Sequence, residues 1–218
     1  SDISLSLRGL PVSLGYWELT KEICLKSGIE VKTENGILNL TPWEVNAPSE
    51  ISVYGEQSLS PMGTLFSRLH DVDIRTNRTE DIRGLGLAIR NMESGKKVLN
   101  LKDASDIITP SAAIMALGSG GRIIGCPHAR GKESDRISMT VRMLGEFGIK
   151  TQESDDGIII PGNQTIRRPE NPVETYSDHR MAMTAMILAS KVGGDIEGPE
   201  CVSATDSRFV QQLEEICG

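Results

Sequence analysis

Two stretches of the chain repeat one pattern of hydrophobic and polar positions at a distance of 120 residues. "WELTKEICLKSGIEVKTENGILNL" (17–40) and "ISMTVRMLGEFGIKTQESDDGIII" (137–160) each begin with an amphipathic run. Each run then meets a glycine, Gly28 or Gly148, the residue that most readily takes the left-handed conformation ending a helix. A short strand pattern, a turn ("TENG" or "SDDG") and a second strand pattern follow. A second pair recurs at 72 residues: "SDIITPSAAIMALGSGGRIIG" (105–125) and "SDHRMAMTAMILASKVGGDIEG" (177–198). Both run Ser-Asp, a small and aliphatic helix, Gly-Gly, then a strand. Helices so rich in Ala and Met have no polar face, so both are expected to be buried nearly all round. Each Ser-Asp falls where N-caps and negative charge are favoured.

Two further amphipathic helices are predicted, over about 81–93 with Ile82, Leu85, Ile89 and Met92 on one face, and over about 207–217 with Phe209, Leu213 and Ile216 together. The chain opens on a strand pattern, "DISLSLRG". Helices and short strands alternate, joined by both crossovers and hairpins. The fold class is α/β (α+β), built from repeated β-α-β-α-β-β units. "NAPSE" (46–50) is the best boundary between parts, and "HDVDIRTNRTED" (70–81) reads as an exposed connection.

Composition narrows the class. Of 218 residues 38% are hydrophobic but only 4% aromatic, so aliphatic side chains must fill the core. A net charge of −7 argues against a general polyanion-binding surface, and any anion site must be local. Cys24, Cys126, Cys201 and Cys217 form no metal-ligand spacing with the three histidines and read as reduced, mostly buried thiols of a cytoplasmic protein. No apolar run approaches the roughly 18 residues of a membrane helix.

Two charge clusters stand at helix starts. "PHARGKESDRIS" (127–138) sets His128, Lys132 and Arg136 four residues apart, with Glu133 among them. A helix beginning near Ser134 would aim its first amides and its dipole at whatever lies before it, a natural anion site. Taken alone, the stretch reads first as a capped, solvated helix start with local ion pairs. "YSDHRMAM" (176–183) places Asp, His and Arg at the mouth of an apolar helix, where a solvated face is a poorer explanation. An arginine at each of two such starts suits a ligand bearing phosphate and carboxylate. Asp106 opens the related helix without basic neighbours and could act as a base. No Walker A loop, dinucleotide fingerprint, zinc spacing or nucleophile elbow is present.

"KESDR" followed some forty residues later by "YSDHRMAM" closely resembles the C-terminal half of the EPSP synthase (3-phosphoshikimate 1-carboxyvinyltransferase) family. "PVSLGYWELT", "VYGEQSLSPMGTL" and "CVSATDSRF" are similar to three further family segments, so the resemblance runs over essentially the whole chain. It implies the family's inside-out α/β barrel domain, with residues 1–50 the tail of the N-terminal domain and 51–218 the C-terminal one. The implied reaction moves the enolpyruvyl group of phosphoenolpyruvate to the 5-hydroxyl of shikimate 3-phosphate and releases phosphate. It runs by addition and elimination, in the cytoplasm, with no metal or organic cofactor.

Carried over by position, Asp106 is the general base and Glu133 the proton carrier at the methylene carbon. Ser13, Tyr16, Asp106, His128 and Lys132 contact shikimate 3-phosphate; Arg136, His179 and Arg180 hold phosphoenolpyruvate. His128 stands where the family often has Asn, and Ala204 where it usually places a lysine that helps bind phosphoenolpyruvate. The resemblance also implies a missing N-terminal portion as partner, and a chain catalytically silent without it. Two other readings stay open: a UDP-N-acetylglucosamine enolpyruvyl transferase relative, and a non-catalytic anion-binding module derived from the enzyme.

Overall fold

A computed structural model of the chain describes residues 2–6, 8–9, 11–29, 31–51, 55–74 and 84–217. The first elements are strand β1 (Ile3–Ser6), helix α1 (Leu14–Lys26), and strands β2 (Val31–Glu34) and β3 (Ile37–Leu40). They form an antiparallel sheet in the order β1-β3-β2. Glu34 pairs with Ile37, so the loop is the two residues Asn35 and Gly36, with φ of 51° and 75°. A tight hairpin needs positive φ at both positions, and Asn-Gly supplies it at least steric cost. This sheet and α1 leave much apolar surface open, including Ile3, Leu5, Ile23, Leu25 and Ile37.

The remainder holds α2 (Ser60–His70), α3 (Leu85–Glu93), β4 (Val98–Asn100), α4 (Ile108–Leu117), β5 (Gly121–Ile124), α5 (Arg136–Glu146), β6 (Gln152–Ser154) and β7 (Gly157–Ile160). After these come β8 (Val173–Glu174), α6 (His179–Val192), β9 (Ile196–Glu197) and α7 (Phe209–Cys217). From β4 to β7 the chain runs β-α-β-α-β-β, one complete copy of the expected unit. Its sheet has the order β4-β5-β7-β6, with β4 and β5 parallel and the other pairs antiparallel.

Helix α4 is buried at every residue from Ile108 to Ala116, as its unbroken run of apolar and small residues demands. It packs against α2, α5 and α6. A hydrogen bond of 2.9 Å between the buried hydroxyls of Thr109 and Thr140 pins α4 to α5, and both hydroxyls also reach the sulfur of Met181 on α6. The three helices are thereby fixed so that their N-terminal ends converge. The core is aliphatic, with Phe66 and Phe147 its buried aromatic side chains among the described residues.

Several expectations are corrected. Helix α2 was not foreseen, although Pro61 in its first turn and Met62, Leu65 and Phe66 on its buried side fit a helix. The predicted helix over 81–93 is described from Leu85, with Leu85, Ile89 and Met92 buried on one face; Asp81 and Ile82, with most of the connection over 70–81, lie outside the described residues. Phe209, Leu213 and Ile216 do lie together along one groove, with Ile216 at its open end, 54% exposed. All four cysteines are free, but only Cys126 is buried; Cys24 and Cys201 are half-buried and Cys217 is exposed. No helix among the described residues is long and apolar enough to cross a membrane.

Candidate active site

The converging ends of α4, α5 and α6 carry the charged side chains of the two motifs. At the centre lies Arg136, the first residue of α5, only 1% exposed. Its Nε donates to Asp178 Oδ2 at 2.8 Å, Nη1 to Asp106 Oδ1 at 2.8 Å, and Nη2 to Glu133 Oε2 at 2.6 Å and Asp178 Oδ1 at 3.2 Å. Lys132 Nζ adds a 3.3 Å contact to Asp106. Asp178, fully buried, also accepts from the Ser134 hydroxyl and caps α6 through the Arg180 amide, both at 2.9 Å. Buried charges persist only when paired this thoroughly.

The α5 start differs from expectation. The helix begins at Arg136, and the Asp135 carboxylate accepts from the amides of Ile137 and Ser138. The first-turn amides that could have faced a ligand are therefore occupied by the chain's own carboxylate, held in turn by Arg130 at 3.0 Å. Asp106 differs as well. It lies in a 3-10 turn (Ser105–Ile107) and caps nothing, which leaves its carboxylate to Lys132 and Arg136, with the Tyr16 phenol nearby.

The two arginines are unequal. Arg180, 6% exposed, donates through Nη2 to the Ser58 hydroxyl at 2.6 Å, while its Nε and Nη1 are buried without a partner among the described residues. Ser58 in turn donates to Glu56 at 2.5 Å, so its lone pairs remain to receive the guanidinium. A buried cation with unused donors is costly, and an anion of suitable shape would relieve that cost. Neither ring nitrogen of His128 has a hydrogen-bond partner among the described residues. His179 Nδ1 stands 4.0 Å from Glu133.

Burial would raise the Asp106 pKa, but Lys132, Arg180 and Arg136 outweigh it and hold the carboxyl below its ordinary range. Asp178 is likewise held low, burial being overcome by its bonds to Arg136 and Ser134 and the Arg180 amide. Burial, with Asp106 and Glu56 nearby, pushes the Tyr16 phenol well above its usual value, so it stays a proton donor. All three histidines are pushed down: His70 by burial and Lys191, His128 by burial and Lys132, His179 by burial and Arg180. The folded protein therefore resists protonation that the unfolded chain accepts near pH 6.5. The sign follows: this stability is present above about pH 6.5 and is lost as pH falls below it, before the carboxylates titrate. Thermal midpoints are expected to fall steadily from pH 7.5 to 5.5, less steeply in His128→Asn; a midpoint flat over that range would contradict the assignment.

Tyr16, Asp106, Lys132, Glu133, Arg136, His179 and Arg180 thus meet in one network, with His128 at its edge and Ser13 one residue from Leu14, whose amide reaches Asp103. Sequence reasoning missed Asp178 as the partner of Arg136, and Glu56, Ser58 and Ser134 as supports. The Ser-Asp before α6 signalled a cap, but its second use, reaching a residue 42 positions away, has no local signal. Ala204 is exposed at the end of a 3-10 turn, and the exposed Arg208 side chain forms no ion pair among the described residues.

Fold and site together define an α/β protein of repeated units with a closed charge network at the meeting of its helix starts. The family model described as EPSP synthase (3-phosphoshikimate 1-carboxyvinyltransferase) matches residues 28–213. The chain belongs to the EPSP synthase family. It is 34% identical to a 3-phosphoshikimate 1-carboxyvinyltransferase of Nitrosopumilus maritimus over 98% of this chain and 56% of that one. A relative of the same name from Korarchaeum cryptofilum is 28% identical over 92% of this chain and 52% of its own length. The solved structure of an EPSP synthase from Acinetobacter baumannii superposes with a TM-score of 0.69 at 20% identity, covering 100% of this chain and 57% of that one. The chain spans about half the length of the curated relatives it matches end to end.

Proposed function

We propose that this chain forms the C-terminal half of an enzyme that transfers the enolpyruvyl group of phosphoenolpyruvate to the 5-hydroxyl of shikimate 3-phosphate. Residues 1–50 are then the tail of the first domain and 51–218 the second. The observation that carries this reading is the buried Arg180, with Nε and Nη1 unused among the described residues, beside the carboxylate of Asp106, with Glu133 held on the neighbouring Arg136. A guanidinium in that state suits a phosphate or carboxylate, and the two acids suit proton transfer.

In the addition step Asp106 takes the proton of the 5-hydroxyl as its oxygen bonds to the enol carbon, and Glu133 delivers a proton to the methylene carbon. In the elimination step Glu133 removes a proton from that carbon, the double bond reforms and phosphate leaves. Arg180 and Arg136, with His179, hold phosphoenolpyruvate and offset charge developing at its oxygens. Ser13, Tyr16, His128 and Lys132 hold the phosphorylated cyclohexene, Tyr16 as a donor. A cytoplasmic setting agrees with the free thiols.

Within this chain the site's carboxylates, Glu56, Asp106, Glu133 and Asp178, outnumber its permanent cations, Lys132, Arg136 and Arg180, with the histidines neutral at pH 7. Two highly charged anions need cations from elsewhere, and the open apolar surface of β1, α1 and β3 offers a place for further protein to pack. The isolated chain is therefore expected to release no phosphate from the two substrates, while the full-length protein that carries it turns over. A full-length protein that folds yet releases none would overturn the proposal, and turnover by the isolated chain would overturn the need for a partner half. Ala204, whose methyl cannot donate to an anion, favours a second reading, a non-catalytic anion-binding descendant; binding without turnover in that experiment would select it.

A further inference from the structure

Ser13 precedes α1 with φ 56° and ψ 41°, a left-handed conformation that few non-glycine residues hold without support. A serine in that place ordinarily caps its own helix, its hydroxyl accepting from an amide of the first turn. Ser13 makes no such bond. The first amide of α1, that of Leu14, donates instead to Asp103 Oδ1 at 3.1 Å, from 89 positions along the chain. In the same first turn of α1, the half-buried Tyr16 phenol lies near Asp106, three residues beyond Asp103, and is pushed up in pKa by burial and by that carboxylate. Asp103 thus holds the start of α1, and Asp106 of the same turn faces it.

Asp103 is itself confined. Gly84, before α3, has φ +87°, and a Cβ added there would stand 2.7 Å from the Asp103 Cβ, so the α3 start packs directly on it. A carboxylate at a helix N-terminus also meets the positive end of the helix dipole.

We propose that Asp103 is a positioning residue that holds the Leu14 amide from outside the helix, fixes Ser13 in its left-handed, non-capping conformation on the 101–107 turn, and so keeps the Ser13 hydroxyl available for the phosphate monoester of the substrate. This rests on the reading of Ser13 as a substrate contact. The ordinary arrangement, Ser13 capping its own helix, would consume the hydroxyl that the ligand needs.

The test compares Asp103→Ala with Asp103→Asn in the full-length protein; Asn keeps an Oδ1 acceptor. Losing a cap of this kind is worth about tenfold, so Asp103→Ala is expected to raise the KM for shikimate 3-phosphate by about that factor. The KM for phosphoenolpyruvate and kcat should stay close to native, and Asp103→Asn should restore most of the loss. Without substrate, amide exchange over residues 14–16 should be faster in Asp103→Ala and near native in Asp103→Asn. Native exchange in Asp103→Ala, or an equal rise in both KM values that Asn does not rescue, overturns the proposal. A native protein that binds no shikimate 3-phosphate defeats the reading of Ser13, and with it the substrate role, while the exchange measurement separately upholds or refutes the cap.

Discussion

Replacing Asp178 by alanine is expected to destabilise the folded protein by about 3–5 kcal/mol, the usual cost of leaving a buried charge without its partner. For a chain of this length that lowers the thermal midpoint by roughly 6–20 °C. The reason lies in position rather than in bond count. Asp178 is fully buried, makes two contacts with a guanidinium that is 1% exposed, and caps α6. Its loss leaves Arg136 to Asp106 and Glu133, both more exposed. A double variant, Asp178→Leu with Arg136→Met, removes both charges and should recover much of the loss, since well-packed apolar pairs often replace buried ion pairs at little cost. Urea unfolding of the two variants checks this. A loss below about 1 kcal/mol in Asp178→Ala would mean that the network does not hold the helix starts together.

Glu133→Gln is expected to reduce turnover of the full-length protein by about 10²–10⁴, the range for removing a positioned acid–base group. Both KM values should change only a few-fold, because the amide oxygen can still accept from Arg136 Nη2. Fold stability should change little: Glu133 is 46% exposed, and ion pairs at such places contribute weakly. Steady-state phosphate release measured alongside substrate binding separates these effects. An unchanged rate would remove Glu133 from the chemistry.

What the sequence made legible follows the range of the interactions. The helix-hairpin pattern at 17–40 and 137–160 was readable because glycine stops, turns and amphipathic spacing are local, and both copies are present. Helix α2 escaped notice because its apolar residues sit within "SLSPMGTLFSRLH", where Ser, Pro and Gly suggest a loop; burial against α4 and α6 overrides that tendency. The α5 start was misplaced by two residues, since Ser134 and Asp135 both cap helices well and only the fold shows Ser134 turned to Asp178. The site's members were identifiable by type, but their pairing was not. Nothing local distinguishes an arginine enclosed by three carboxylates from one whose donors remain unused, because the difference depends on which helix ends meet.

That inequality also couples recognition to reactivity. On the proposed roles, an anion that engages Arg136 Nη1 competes with Asp106 for that donor and brings negative charge beside a carboxyl that Lys132, Arg180 and Arg136 hold low. The displaced carboxylate becomes a stronger base when the ligand arrives and is restrained while the site waits. Binding then acts as an exchange of partners at one guanidinium, with proton-accepting power released as the by-product. On the proposed roles, the guanidinium that restrains Asp106 in the empty site is also one that receives the arriving anion.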